Sequence, residues 1–517
     1  MSPFAPPFEQ TPEIRAAYNV GCLFDIISGK YSLGKHGEAL LSGGMTPVTA
    51  FIGENNTYKS TTADYFLYSA YAKFAHVPNV YGMKYDTELN VDQPRQKQLA
   101  SGVEGLEGEN NPFEKRCWNL TDKSIYTGNK WFEVIKKYAD DKEKAASKLM
   151  LDTPFYDSTG EVIRIITPTF AGVDSFTEFD TDDVIDMRDD NELGESGNNM
   201  AFARQGLAKT HMVAQLPRIV VKGGIPMVMT AHLGDIILDQ GGGRTPPAKK
   251  AQYLPGGKVI KGVTAKFNFL THQQWYCKSA TVLRDDDTKA PEYPNGSDDN
   301  VKGDTDLNEI TVTLLRNKYG PSGMMMQVIV SQELGVLPTL SEFHYIKSNK
   351  RFGIEGGGQF YTLDLLPEVK ISRATVRPKI NELPKLRRAI NITSESLQMI
   401  QLWSAFRHMR CSMKDLYADL KAIGYDWDYI LEHTRGYWMV DNDSDIHEKK
   451  FLSTLDLWRM RVGLYVPYWW PQDKPLDLSK CKRLEGEELT STLLDLKKID
   501  PLHKLRGTSF PAIKTIY

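Results

Sequence analysis

Residues 47–75 read PVTAFIGENNTYKSTTADYFLYSAYAKFA. The first seven, Pro47–Gly53, form an apolar run short enough for a buried strand, closed by a glycine. The last sixteen, Ser60–Ala75, repeat apolar and aromatic side chains at helical spacing. A strand, a glycine turn and a helix in that order begin a βαβ unit. The turn GENNTYKS (Gly53–Ser60) keeps the spacing of a phosphate-binding loop, with lysine and serine closing it. Such a turn points backbone N–H groups and a helix N-terminus at phosphate oxygens. Lys59 would add a mobile positive charge, and Ser60 a hydroxyl for Mg²⁺. Gly53, Glu54, Asn55, Asn56, Thr57, Tyr58, Lys59, Ser60 and Thr61 are therefore the candidate ATP-binding residues. Tyr58 stands where the loop usually has its second glycine, so it must take a backbone setting normally left to glycine.

Working outward, a phosphate-transfer site needs carboxylates at strand ends, to hold Mg²⁺ through water and to orient the attacking water. Asp174 follows the apolar run in FAGVDS, and Glu88 ends the strand expected over Val77–Tyr85. Ser60 and Asp174 are the candidate metal-holding pair, and Glu88 the candidate activator of water. Further strands are expected over Glu161–Phe176, Met227–His232, Val263–Leu270 and Ile310–Arg316. The last of these turns back through KYGPSG into MMMQVIV as a hairpin. Strands alternating with helices imply a mainly parallel sheet covered on both faces, an α/β fold. Residues 239–262, rich in Gly, Pro and Lys, read as a loop. After about residue 385 the pattern becomes helical and Trp-rich, and those tryptophans read as core. The expected organisation is a lead-in and oligomerisation segment (1–40), an ATPase core (41–335), a small α/β segment (336–385) and a helical C-terminal region (386–517).

The chain has 517 residues, 63 Lys plus Arg against 66 Asp plus Glu, so overall charge does not announce a polyanionic partner. A filament or ring can still concentrate positive charge on loops facing one axis. Five cysteines without a CxxC pair suggest neither a zinc knuckle nor a disulfide framework, and fit a reducing cytoplasm. No run approaches the roughly 18 apolar residues of a membrane span, and the N-terminus is not a signal peptide.

KYDTE after the first helix, VDS, MVMTAH and LLRNKYGPSG together resemble the RecA/UvsX-type recombinases, over about residues 20–380. The similarity is strongest to the phage branch, where an aromatic residue also precedes the loop lysine. The resemblance implies a RecA-like core, a DNA-dependent ATPase, and a cytoplasmic setting in a bacterial host. It implies that Glu88 activates the hydrolytic water and that His232 senses the γ-phosphate. It also implies that the segment Leu233–Gly262 meets DNA through Arg244, Lys249, Lys250, Lys258 and Lys261. Arg316 and Lys318 would reach the ATP of a neighbouring subunit, so the active form would be a homo-oligomer. Single- and double-stranded DNA would be the partners, ATP and Mg²⁺ the cofactors.

Two departures stand out. The segment after Asp174, where a first DNA-binding loop belongs, carries nine acids between Glu178 and Glu195 with only Arg188. The C-terminal 130 residues and the polar insert at 284–306 have no counterpart in the family. Two other readings are carried: a hexameric replicative helicase of the DnaB class, and a structural filament that binds ATP without turnover. KYDTE and the segment VLPTLSEFHYIK to GGGQFYTLDL favour the recombinase.

Overall fold

A computed structural model describes residues 16–88, 92–107, 113–119, 127–189, 197–235, 253–261, 263, 265–296, 301, 303–357 and 359–506. The opening stretch folds as its pattern dictates. Val48–Gly53 is strand β1, and its side chains divide between two cores. Val48, Ala50 and Ile52 join one, and Phe51 joins the other on the opposite face. A strand apolar on both sides belongs inside a sheet covered twice, and that is where β1 lies.

The remaining strands of this sheet are β2 (Tyr81–Asp86), β3 (Cys117–Asn119), β4 (Thr169–Asp174), β5 (Met227–Asp235), β6 (Lys258–Ile260), β7 (Gln273–Val282), β8 (Leu307–Asn317), β9 (Met325–Ser331) and β10 (Gly335–Val336). Their order is β10-β9-β8-β7-β1-β5-β4-β2-β3, with β6 pairing to β5 off that path. From β7 through β1, β5, β4 and β2 to β3 the neighbours are parallel. β8, β9 and β10 add antiparallel pairs. Parallel strands deliver their C-terminal ends to one edge, which is where open α/β sheets bind ligands. In register, Gly53 lies opposite His232, and Asp86 opposite Asp174. A large sheet flanked by helices, followed by a helical C-terminal region, is the expected architecture and is consistent with a RecA-like core.

Helix α1 (Lys59–Phe74) covers one face, laying Phe66 edge-on to Phe51 at 4.9 Å and packing near Trp275 at 6.1 Å. On the other face Trp131 stacks on Tyr85 at 6.0 Å and meets the edge of Phe179 at 5.2 Å. These clusters follow from the aromatic residues of α1 and from the helix Gly128–Lys144, whose inward residues include Trp131, Ile135 and Ala139.

Three expected elements differ. Val263–Leu270 is not a strand: Ala265–Leu270 is a helix, and β7 begins at Gln273. Short apolar runs do not separate strand from helix by periodicity. The stretch Glu161–Phe176 divides at Pro168 into Val162–Ile166, which pairs with Met150–Tyr156 in a separate two-stranded sheet, and β4. β5 runs on to Asp235, and Lys258–Ile260 returns to pair with it, so part of the expected loop 239–262 is sheet.

The C-terminal residues are helical as expected, with the helix Pro384–Leu402 prominent, and their tryptophans are core. Trp427, Trp458 and Trp470 share a cluster with Ile26, Tyr31 and Leu33 from the N-terminal residues. Trp438 goes elsewhere. It lies against Phe74 at 5.3 Å, Phe155 at 5.2 Å and Tyr18 at 5.9 Å, and its indole N–H donates to the Ala17 carbonyl. The C-terminal region thus seals the sheet domain instead of hanging from it. Among the described residues no helix is long and apolar enough to cross a membrane.

Candidate functional site

The site is built where β1, β2, β4 and β5 end. Gly53 is held to glycine by space, because a Cβ there would meet Thr57 Oγ1 at 2.5 Å and the Cys277 carbonyl oxygen at 2.9 Å. The turn is tightened from within, Thr57 Oγ1 donating to the Glu54 carbonyl at 2.9 Å. Asn56 and Tyr58 both take left-handed backbone angles, with φ of 58° and 56°. Tyr58 therefore does what its position required, at a torsional cost of roughly 1–2 kcal/mol over glycine. Its ring packs partly buried on the cluster around Phe51, and burial raises its hydroxyl pKa. No side chain caps the N-terminus of α1 and no acid stands in its first turn, which leaves that end suited to an anion.

Lys59 is the first residue of α1 and is buried at the floor of the cleft, while Thr61 is half-buried in the same turn. Ser60 Oγ donates to Asp174 Oδ1 at 3.0 Å, and Thr230 Oγ1 donates to the same oxygen. Beneath Asp174 lies a pair not anticipated from sequence. Lys84 Nζ sits 2.9 Å from Asp64 Oδ2 and 3.7 Å from Asp174 Oδ2, fully enclosed between α1 and the sheet. Burial pushes Asp64 up to about 6 despite the Lys84 charge beside it. Burial alone would lower Lys84, but Asp64 and Asp174 outweigh it and hold its pKa up. The sequence did carry a signal for this pair. Lys84 is a charge inside an otherwise apolar strand, and Asp64 a charge on the inward face of an otherwise aromatic helix, so each requires the other.

The β2 and β4 ends are clipped together. The Thr87 N–H donates to the Asp174 carbonyl at 2.7 Å, Thr87 Oγ1 donates to the Ser175 carbonyl at 2.9 Å, and the Ser175 N–H donates to Thr87 Oγ1 at 2.8 Å. Glu88 follows at once, its N–H donating to Asp86 Oδ1 at 3.0 Å. Its Oε1 lies 2.8 Å from His232 Nε2, so the candidate water activator and the candidate phosphate sensor touch. The His232 N–H donates to Thr177 Oγ1 at 2.9 Å, tying β5 to the segment after Asp174.

The turn, Glu88 and His232 line an open polar cleft of about 1210 Å³, ample for a nucleotide. Its walls carry Glu54 through Ser60, Glu88 and His232, and also Glu178, Gln332, Lys258 and Lys261. Lys258 bridges Glu54 Oε1 at 2.7 Å and Asp235 Oδ1 at 2.9 Å, and the bonds to these two acids raise its pKa. Lys261 lies along Gly234, leaving no room for a Cβ there. Both cations expected to face DNA are thus placed at the rim of the cleft. Arg244, Lys249 and Lys250 lie outside the described residues, and part of the acidic segment forms the helix Asp182–Asp189.

Arg316 lies at the end of β8 and Lys318 just past it. Because β8 is antiparallel to β7, they stand at the opposite edge of the sheet from Gly53, beside Gln274 and His272. Arg316 is anchored there by 3.3 Å bonds to the carbonyls of Thr271 and Phe269. Neither residue lines this chain's own cleft.

No protein-family model matches the chain, and no curated protein matches its sequence. Among solved structures that are similar, the crystal structure of the RadB recombinase matches over 57% of this chain and 92% of that one, at 16% identity and a TM-score of 0.31. At that score the likeness weighs on neither activity nor assembly.

Proposed function

We propose that the chain is an ATP-dependent DNA recombinase of the RecA/UvsX kind, a DNA-dependent ATPase acting as a homo-oligomer on single- and double-stranded DNA. The observation that carries the ATPase part is the convergence, in one cleft, of Lys59, the Ser60–Asp174 pair and the Glu88–His232 pair from four adjacent strand ends. The donor set fits Mg-ATP: an uncapped helix end and a lysine for phosphate oxygens, and a hydroxyl beside a carboxylate for the metal. Ser60 and Asp174 would hold Mg²⁺, which supplies charge neutralisation to the phosphates when bound.

The other roles belong to this chain's side chains. Lys59 Nζ compensates phosphate charge from the floor of the cleft. Lys84 Nζ, 3.7 Å from Asp174 Oδ2, helps hold that carboxylate in place beside Ser60. Glu88 Oε1 is the acceptor for a proton from water, and His232 Nε2 fixes the orientation of that carboxylate. The DNA part of the proposal rests on the sequence resemblance, and the homo-oligomer part on that resemblance together with Arg316 and Lys318. Their position at the far edge of the sheet from Gly53 supports the reading that they serve a neighbouring subunit and not their own.

The test is ATP turnover with and without single-stranded DNA, in the wild type and in Lys59→Ala. Wild-type hydrolysis stimulated by DNA and lost in the variant supports the proposal, and unchanged hydrolysis in the variant sinks it. Electron microscopy of the ATP- and DNA-bound assembly then distinguishes a helical filament, as proposed, from a closed ring.

A further inference from the structure

Far from the cleft, where α1 ends, one group among the described residues has the composition of a metal site. His76, two residues after α1, faces Asp441 and His447 from the loop that precedes the strand Lys450–Phe451. The three donor atoms lie within 4.8 Å of one another. His76 Nε2 is 3.7 Å from Asp441 Oδ2, and the two imidazole rings meet edge to face at 4.8 Å.

We infer that His76, Asp441 and His447 bind a zinc-type divalent ion that ties the 441–447 loop to the C-terminal end of α1. Two nitrogens and one carboxylate oxygen are the ligand set of a three-residue zinc site whose fourth position takes water. The donors of a tetrahedral site with bonds of about 2.0–2.2 Å stand roughly 3.3 Å apart, so these side chains need only close in by an ångström or so.

His447 Nε2 is buried and has no hydrogen-bond partner. A buried ring nitrogen left without a partner carries a desolvation cost that a metal bond removes. With two imidazoles among three ligands, the site should prefer an ion that binds nitrogen strongly over Mg²⁺ or Ca²⁺.

The experiment uses the full chain without a polyhistidine tag. It is loaded with Zn²⁺, dialysed against metal-free buffer and assayed for metal per chain. Co²⁺ titration of the wild type is followed by visible absorption. The expected results are one Zn²⁺ per chain, a tetrahedral Co²⁺ spectrum displaced by Zn²⁺, and binding at least tenfold weaker in His447→Ala and Asp441→Asn. His232→Ala, in the nucleotide cleft, should leave the stoichiometry unchanged. Absence of saturable binding to the wild type, or one Zn²⁺ retained in both ligand variants, overturns the proposal. Loss of metal in His232→Ala alone also overturns it, by moving the ion to the cleft. The Co²⁺ spectrum needs no variant, so misfolding of a substituted chain cannot shelter the idea.

Discussion

The two ends of α1 solve opposite problems with one helix. At the N-terminal end Lys59 and Ser60 face an open, polar cleft, on a turn that spends two left-handed residues to present its backbone. At the C-terminal end Phe74 is closed over by Trp438, which reaches in from almost four hundred residues away. The open end is shaped by what must enter it, the sealed end by what must stay out. A helix fixed at one end in a dry aromatic cluster makes a rigid post for chemistry at the other.

Substitutions at the two ends should therefore fail differently. The largest effect is expected at the open end. Glu88→Gln should lower ATP turnover by about 10²–10⁴-fold, the usual share of a positioned base, while nucleotide binding and the unfolding midpoint stay near wild type. Loss of binding along with turnover would make Glu88 a structural residue. At the sealed end, Trp438→Ala should destabilise by about 3–5 kcal/mol in urea unfolding, with the turnover of the still-folded fraction little changed. If that variant loses turnover at full stability, the ends are not separable.

A third prediction concerns the charges buried between the regions. Glu342 is enclosed near Asp25 and Glu395, and burial first, then those acids, pushes its pKa to about 8. The folded state therefore holds its proton more tightly than the unfolded chain, where the value is near 4.5. Stability from this group is present below about pH 4.5 and is lost as pH rises through about 8. Glu342→Gln mimics the protonated form, so it should remove on the order of 3 kcal/mol of pH dependence between about pH 5 and pH 8. An unchanged slope would mean that Glu342 is ionised in the folded state.

The smallest effect sharpens the reading of the turn. Tyr58→Gly and Tyr58→Ala both lose the ring, but only alanine keeps the left-handed strain. Glycine should be the more stable of the two by about 1 kcal/mol. An alanine variant as stable as the glycine one would show that the turn relaxes out of the left-handed region.

Much of the open end was legible in the sequence because its chemistry fixes residue types at fixed spacings. GENNTYKS placed the turn, and the strand ends placed Asp174, Glu88 and His232 on one edge. What it did not disclose is which side chains touch. The Glu88–His232 contact spans 144 positions, and the Lys84–Asp64 pair is recognisable only as two misplaced charges until the fold brings them together. The sealed end was legible only as composition. A tryptophan marks a core without naming its partners, because hydrophobic packing is non-directional, and nothing local assigns Trp438 to Tyr18 and Phe74 while Trp458 goes to the C-terminal core. The helix Ala265–Leu270, expected as a strand, failed for a related reason. Six apolar-leaning residues fit either period.

The stack of Trp131 on Tyr85 has an optical consequence. Tyr85 lies three residues before Glu88, on the strand that delivers it to the cleft, whereas Trp427, Trp458 and Trp470 emit from a separate core. Movement at that strand end would change the surroundings of one indole and leave those three untouched. Intrinsic fluorescence thus contains, without any label, a channel tuned to the residue proposed to activate water.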